Sequence, residues 1–171
     1  PLDVLAAIMS TAPSGRLYKN LVEAKKAASV SCGVRQHREA GFFMCRAELQ
    51  ASDAMANAKP VLIDTIELVA KTPISVDEVS RAKAALSKEF ELLSNETEHL
   101  ALVMSEYAAL GDWRLFFVKR DQIEKVTVDD VIRVANAYLR RSNRTLGEYV
   151  PSTEIDRVEV RSMGDLAPLV A

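Results

Sequence analysis

The chain has 171 residues, 22 of them basic and 24 acidic, for a formal charge of −2. That length suits one domain, the charge balance argues against a nucleic-acid binder with its basic face, and no apolar run approaches the ~20 residues of a membrane span. Two cysteines, Cys32 and Cys45, are too few for a disulfide framework or a zinc ribbon. They read as small buried core residues, and a cross-strand disulfide in an oxidising compartment stays open because they fall on two arms of one predicted hairpin. The chain begins at Pro1, so the lack of a signal peptide says little about its compartment.

Residues 2–9 are apolar at helical spacing, and Pro13-Ser14-Gly15 ends that run. A second short helix is expected over residues 16–25, with Ser14 or Gly15 as its cap and Leu17, Leu21 and Ala24 repeating along one side. It runs straight into a strand. Residues 28–35 and 41–50 read as two β-strands, joined by the polar, glycine-containing link His37-Arg38-Glu39-Ala40-Gly41. The second strand starts apolar and then alternates, as expected where helices cover one face of a sheet.

Ser52-Asp53 caps a helix over residues 54–70, with Val61, Leu62, Ile66 and Val69 on its apolar side, and Pro73 breaks the run. Ser75-Val76-Asp77-Glu78 is a capping box: the serine accepts from the backbone while an acid three residues on reaches back. The long helix it opens carries Val79, Ala82, Leu86, Phe90 and Leu93 at three- and four-residue steps. At Ser94-Asn95 it pauses or continues into Leu100, Val103, Met104 and Tyr107, and Gly111 closes the run as a C-cap. Residues 113–123 form a further short helix with Leu115, Phe116 and Ile123 inward. Thr127-Val128-Asp129-Asp130 caps a last helix through Val131, Val134, Ala135 and Leu139. Ser142-Asn143 turns the chain, residues 144–150 read as a final strand stopped by Pro151, and residues 151–171 read as an extended linker. Few strands with segregated helices predict an α+β sandwich, an antiparallel sheet with helices on one face, over residues 1–150. Three strands make a thin sheet, so a first strand upstream of Pro1 is expected.

The sequence offers one near match to a metal motif, Asn95-Glu96-Thr97-Glu98-His99. A helical H-x-x-E-H places two histidines at i and i+4 on one face, where both reach one zinc with the glutamate as general base. Asn95 replaces the first histidine and is a poor zinc ligand, so the segment reads as a polar helix turn with a surface histidine. Glu96 and Glu98 point to different sides of a helix and do not form a carboxylate pair. His37 reads as a solvated loop residue. Arg16, Tyr18 and Lys19 could bind an anion near a helix N-terminus, but read better as solvent-facing with the Tyr18 ring packed. Arg140, Arg141 and Arg144 read as a solvated helix end complementing the helix dipole. No catalytic, cofactor-binding or metal-binding residues are assigned.

Three segments carry a resemblance. Gly15-Arg16-Leu17-Tyr18-Lys19 with Leu21-Val22-Glu23 resembles the "S-R-L-y-x-x-L-v-E" signature of the pitrilysin/insulinase-like zinc metallopeptidases. Tyr107-Ala108-Ala109-Leu110-Gly111-Asp112-Trp113-Arg114-Leu115-Phe116-Phe117 resembles a stretch common in their bacterial members. Tyr138-Leu139-Arg140-Arg141-Ser142-Asn143-Arg144-Thr145-Leu146-Gly147 resembles the closing "Y-L-x-x-x-N-R-T-x-G" of one domain. The resemblance implies repeated α+β domains in two halves around a chamber, with zinc held by H-x-x-E-H in the domain preceding this one. It implies that this chain is the non-catalytic companion, without a metal of its own, and that it helps to enclose and position peptide substrate and to scaffold the active half. In the corresponding domain of the other half, the family places a substrate-contacting arginine and, seven residues later, a tyrosine; the matching positions here are Val22 and Ser29. Implied partners are the zinc-binding domain, the second half of the same protein and peptide substrate. A bacterial periplasm or cell envelope is the expected location. The domain normally starts with a strand before its first helix, so an exposed sheet edge and self-association of the isolated chain are also expected. A structural or assembly subunit of the same family, without peptidase activity, is the alternative.

Overall fold

Helix α1 (Leu2–Ser10) is apolar on nearly every side, and Val4, Leu5, Ala6, Ile8 and Met9 are all buried. A helix of that composition can only be stable inside a core. In the computed structural model, which describes residues 1–50, 55–151 and 154, α1 packs against a β-hairpin and against the two most amphipathic helices of the chain. The chain turns back past the end of α1 at Gly15. A Cβ there would stand 2.8 Å from the Met9 carbonyl oxygen, so the close approach requires glycine.

The segment expected as an α-helix over 16–25 is instead a short π-helical turn, Tyr18–Glu23, anchored by the buried Leu17 and Leu21. It ends at Lys25, which adopts a left-handed φ of 52°, a conformation that costs an L-residue about 1–2 kcal/mol. Strands β1 (Ser29–Arg35) and β2 (Phe42–Glu48) then pair antiparallel, with Cys32 opposite Cys45. Val30, Cys32, Phe43, Cys45 and Ala47 lie on the face packed against the core, while Ser29, Ser31, Met44, Arg46 and Glu48 alternate outward.

Helix α2 (Met55–Glu67) carries Val61, Leu62 and Ile66 toward the core and contains Pro60, which lacks a hydrogen to donate to the preceding turn. The Ser52-Asp53 cap falls outside the described residues. A 3₁₀ turn (Val69–Lys71) leads to α3 (Val76–Ser94), opened by the Ser75–Glu78 capping box. The long run does pause. Asn95 ends α3, Glu96 is extended, and α4 (Thr97–Leu110) restarts and ends at Gly111 with φ 131°. Helix α5 (Leu115–Glu124) buries Phe116 and Ile123, but Leu115 is outward. Helix α6 (Val128–Tyr138) has the reciprocal Thr127–Asp130 cap and buries Val131, Val134 and Ala135. One apolar cluster runs from Val4 and Leu5 of α1 through Val79 and Ala82 of α3 and Ile123 of α5 to Val131, Val134 and Ala135 of α6.

The architecture is α+β, mostly helical, with a two-stranded antiparallel sheet covered on one face. One expectation fails. Among the described residues, 144–150 pair with no strand and are exposed. They follow α2 instead: Arg144 pairs with Glu67 and Glu148 with Lys59. Four extended residues and eight helical ones both span roughly 12–13 Å, so the segment runs antiparallel to the helix axis and its side chains are used for ion pairs. Apart from Pro151 and residue 154, the expected linker lies outside the described residues.

Candidate functional site

An open groove of about 800 Å³ is lined by residues of α1, β1, α3, α4 and α5. Much of its lining is apolar, including Ala6, Val34, Leu86, Leu93, Val103 and Ile123. An aromatic group lies along it: Phe90 stacks on Phe116 with centroids 4.2 Å apart, and Tyr107 meets Phe116 edge-on at 5.8 Å. Such offset and edge contacts favour a fixed ring arrangement.

Charged side chains interrupt the apolar lining, and the shortest ion pair among them joins Lys119 to Asp3. Lys119 Nζ lies 2.7 Å from Asp3 Oδ1, joining α5 to the first turn of α1. Burial would lower the Lys119 pKa, but the Asp3 carboxylate and the Tyr107 hydroxyl more than offset it, and the ammonium is held above its ordinary range. The lysine is therefore a fixed cation paired with Asp3. It is not poised as a nucleophile or base.

His99 and Glu96 also line the groove, with His99 Nδ1 3.7 Å from Glu96 Oε2 and both side chains more than half exposed. The break between α3 and α4 decides the fate of the near-zinc motif. Asn95 closes one helix and His99 belongs to the next, so the two do not share the i, i+4 face that zinc binding needs. Among the described residues, no group of three or more His, Cys, Asp or Glu side chains could hold a metal ion. The donors present do not fit zinc.

The other singled-out residues are dispersed. His37 lies in the hairpin link, with its ring 5.9 Å from that of Phe42. Arg16 is neither solvent-facing nor free for an anion. Its Nε donates to Glu78 Oε1 at 2.8 Å, and its Nη2 donates to Glu78 Oε2 at 3.0 Å and to the Pro73 carbonyl at 2.7 Å. That fork holds the Glu78 carboxyl at a pKa of about 2, well below the usual range, with the Ser75 backbone N–H assisting. Tyr18 is half-buried and Lys19 exposed. Arg140 Nε donates to the Asn136 carbonyl near the end of α6 at 2.6 Å, as a helix-end cation should, whereas Arg144 has left that cluster for Glu67. Val22 is in the π-helical turn, and Ser29 opens β1 with its hydroxyl donating to Glu48.

The cysteines are not two separate core thiols. They form a disulfide in the middle of the hairpin, with Cα atoms 4.1 Å apart. Pairing across a non-hydrogen-bonded site brings side chains close enough for this bond. Sequence reasoning also missed the Asp3–Lys119–Tyr107 group, because Asp3 is over a hundred residues from the other two and the three carry no local signature.

The family description "Peptidase M16 inactive domain" matches residues 1–86. Among solved structures, a protein assigned as a zinc protease from Bordetella pertussis Tohama I is 38% identical, with 88% of this chain and 83% of that one covered and a TM-score of 0.77. The inactive peptidase domain of a protein assigned as a zinc protease from Bordetella parapertussis is also 38% identical, covering 88% and 82%, with a TM-score of 0.79. A protease from Helicobacter pylori, at 20% identity and a TM-score of 0.74, shares the fold over 83% of this chain and 35% of its own. No curated protein matches.

Proposed function

Since this chain belongs to the M16 peptidase family as an inactive peptidase domain, we propose that it walls the peptide chamber of a zinc metalloendopeptidase. It helps to enclose and position substrate and scaffolds the active half. Zinc and the general base reside in the companion H-x-x-E-H domain, and residues 1–150 form the non-catalytic unit. The observation that carries this reading is the groove. Its volume and apolar lining suit contact with a peptide, and its only described lysine–aspartate pair is already neutralised.

This reading puts the protein in an oxidising compartment, such as a bacterial cell envelope. The Cys32–Cys45 disulfide supports that location, because such bonds persist where no cytosolic glutathione or thioredoxin pool keeps thiols reduced.

The test compares the chain alone with the chain assembled with its H-x-x-E-H domain, measuring zinc by elemental analysis and hydrolysis of an unstructured peptide. The chain alone should hold no zinc and cleave nothing; the assembly should hold zinc and cleave the peptide. Filling the groove with Val34→Trp should then lower kcat/KM of the assembly while its zinc content stays the same. Unchanged kcat/KM would remove the enclosure role. An assembly without zinc or activity would favour the structural-subunit alternative.

A further inference from the structure

We propose that the Cys32–Cys45 disulfide is a thiol-exchange site that locks the hairpin register, opened by a dithiol reductant entering through the groove at Cys32. The bond occupies the fourth of seven residue pairs, the midpoint of the ribbon. Apart from it, the register rests on the core-facing side chains Val30, Phe43 and Ala47. A two-stranded hairpin is marginal in water by itself, and none of its fourteen residues is fully buried.

Its outward pairs are poorly matched: Gly33 faces Met44, and Arg35 faces Phe42. Ser29 to Glu48, at one end, is the only outward pair joined by a side-chain hydrogen bond among the described contacts. A slip of one residue would turn Val30 of a shifted β1, or Phe43 and Ala47 of a shifted β2, away from the core. A covalent bond at the central pair forbids that slip.

The two cysteines differ in position relative to the groove. Cys32 lines the groove beside Gly33 and Val34, while Cys45 lies on the strand beyond it. Neither is fully buried. A thiolate of the dithiol attacks Cys32 Sγ, the S–S bond breaks, and Cys45 leaves as a thiolate that takes up a proton. The second thiol of the reductant then displaces Cys32. Two electrons pass to the protein, which gains two thiols, and the dithiol becomes a cyclic disulfide.

The test uses the full chain in native buffer with and without dithiothreitol. Mass spectrometry should find no cysteine alkylated before reduction and two afterwards. On reduction, amide hydrogen exchange of β1 and β2 should accelerate by about ten-fold or more, with α6 amides unchanged. In single-cysteine variants, Cys32 in Cys45→Ser should react with a maleimide about ten-fold faster than Cys45 in Cys32→Ser. Alkylation before reduction, equal exchange in both states, faster reaction at Cys45, or acceleration spreading equally to α6 would each overturn the proposal.

Discussion

Arg16 shows how much one side chain can hold. Its guanidinium ties the π-helical turn to the start of α3 and contacts the carbonyl of Pro73 between α2 and α3. Arg16→Ala removes charge-assisted hydrogen bonds from a pair that is mostly buried. It should lower stability by about 1–3 kcal/mol, read from urea unfolding. The pair also predicts an acid response. Glu78 titrates near 2 in the folded chain against 4.5 as its ordinary value. Its contribution is complete above about pH 4.5 and is lost as pH falls toward 2. Glu78→Gln should be less stable at neutral pH and should show a flatter stability profile between those limits. An identical acid slope in both proteins would refute that assignment.

Among the elements, α3 and α6 are specified most locally. Each begins with a reciprocal cap, Ser75 with Glu78 and Thr127 with Asp130, in which both backbone and side chain are bonded. Thr127→Ala should cost roughly 1 kcal/mol, whereas Thr127→Ser should cost little; circular dichroism melts of the two variants distinguish them. The segment after α6 behaves differently. Residues 144–150 have the composition of a strand, yet two ion pairs attach them to α2. Exposed pairs contribute about 0–1 kcal/mol each. Arg144→Ala with Lys59→Ala should therefore leave global stability nearly unchanged while limited proteolysis at 144–150 becomes faster.

In the whole molecule, α1 is the element that the other layers share. Leu5 is fully buried in α1, the helix on which the hairpin, α3 and α6 converge. Leu5→Ala should cost about 2–5 kcal/mol in thermal or urea unfolding. Leu102→Ala, on an exposed helix face, should change stability by less than about 0.5 kcal/mol.

The sequence by itself determined the helices and the hairpin, because capping boxes, the Gly111 stop and apolar periodicity act within a few residues of their own positions. The missing first histidine at Asn95 was legible in the same way, and so was the resemblance that led to the inactive-domain family. Tertiary structure alone decided that Arg16 faces Glu78, that Cys32 and Cys45 join, and that Lys119 meets Asp3 across the groove. It also decided that residues 144–150 follow a helix instead of a strand. Each of these depends on which surfaces are brought together in space, and a side chain's partner cannot be read from its neighbours in the chain when the competing partners lie equally far away in sequence.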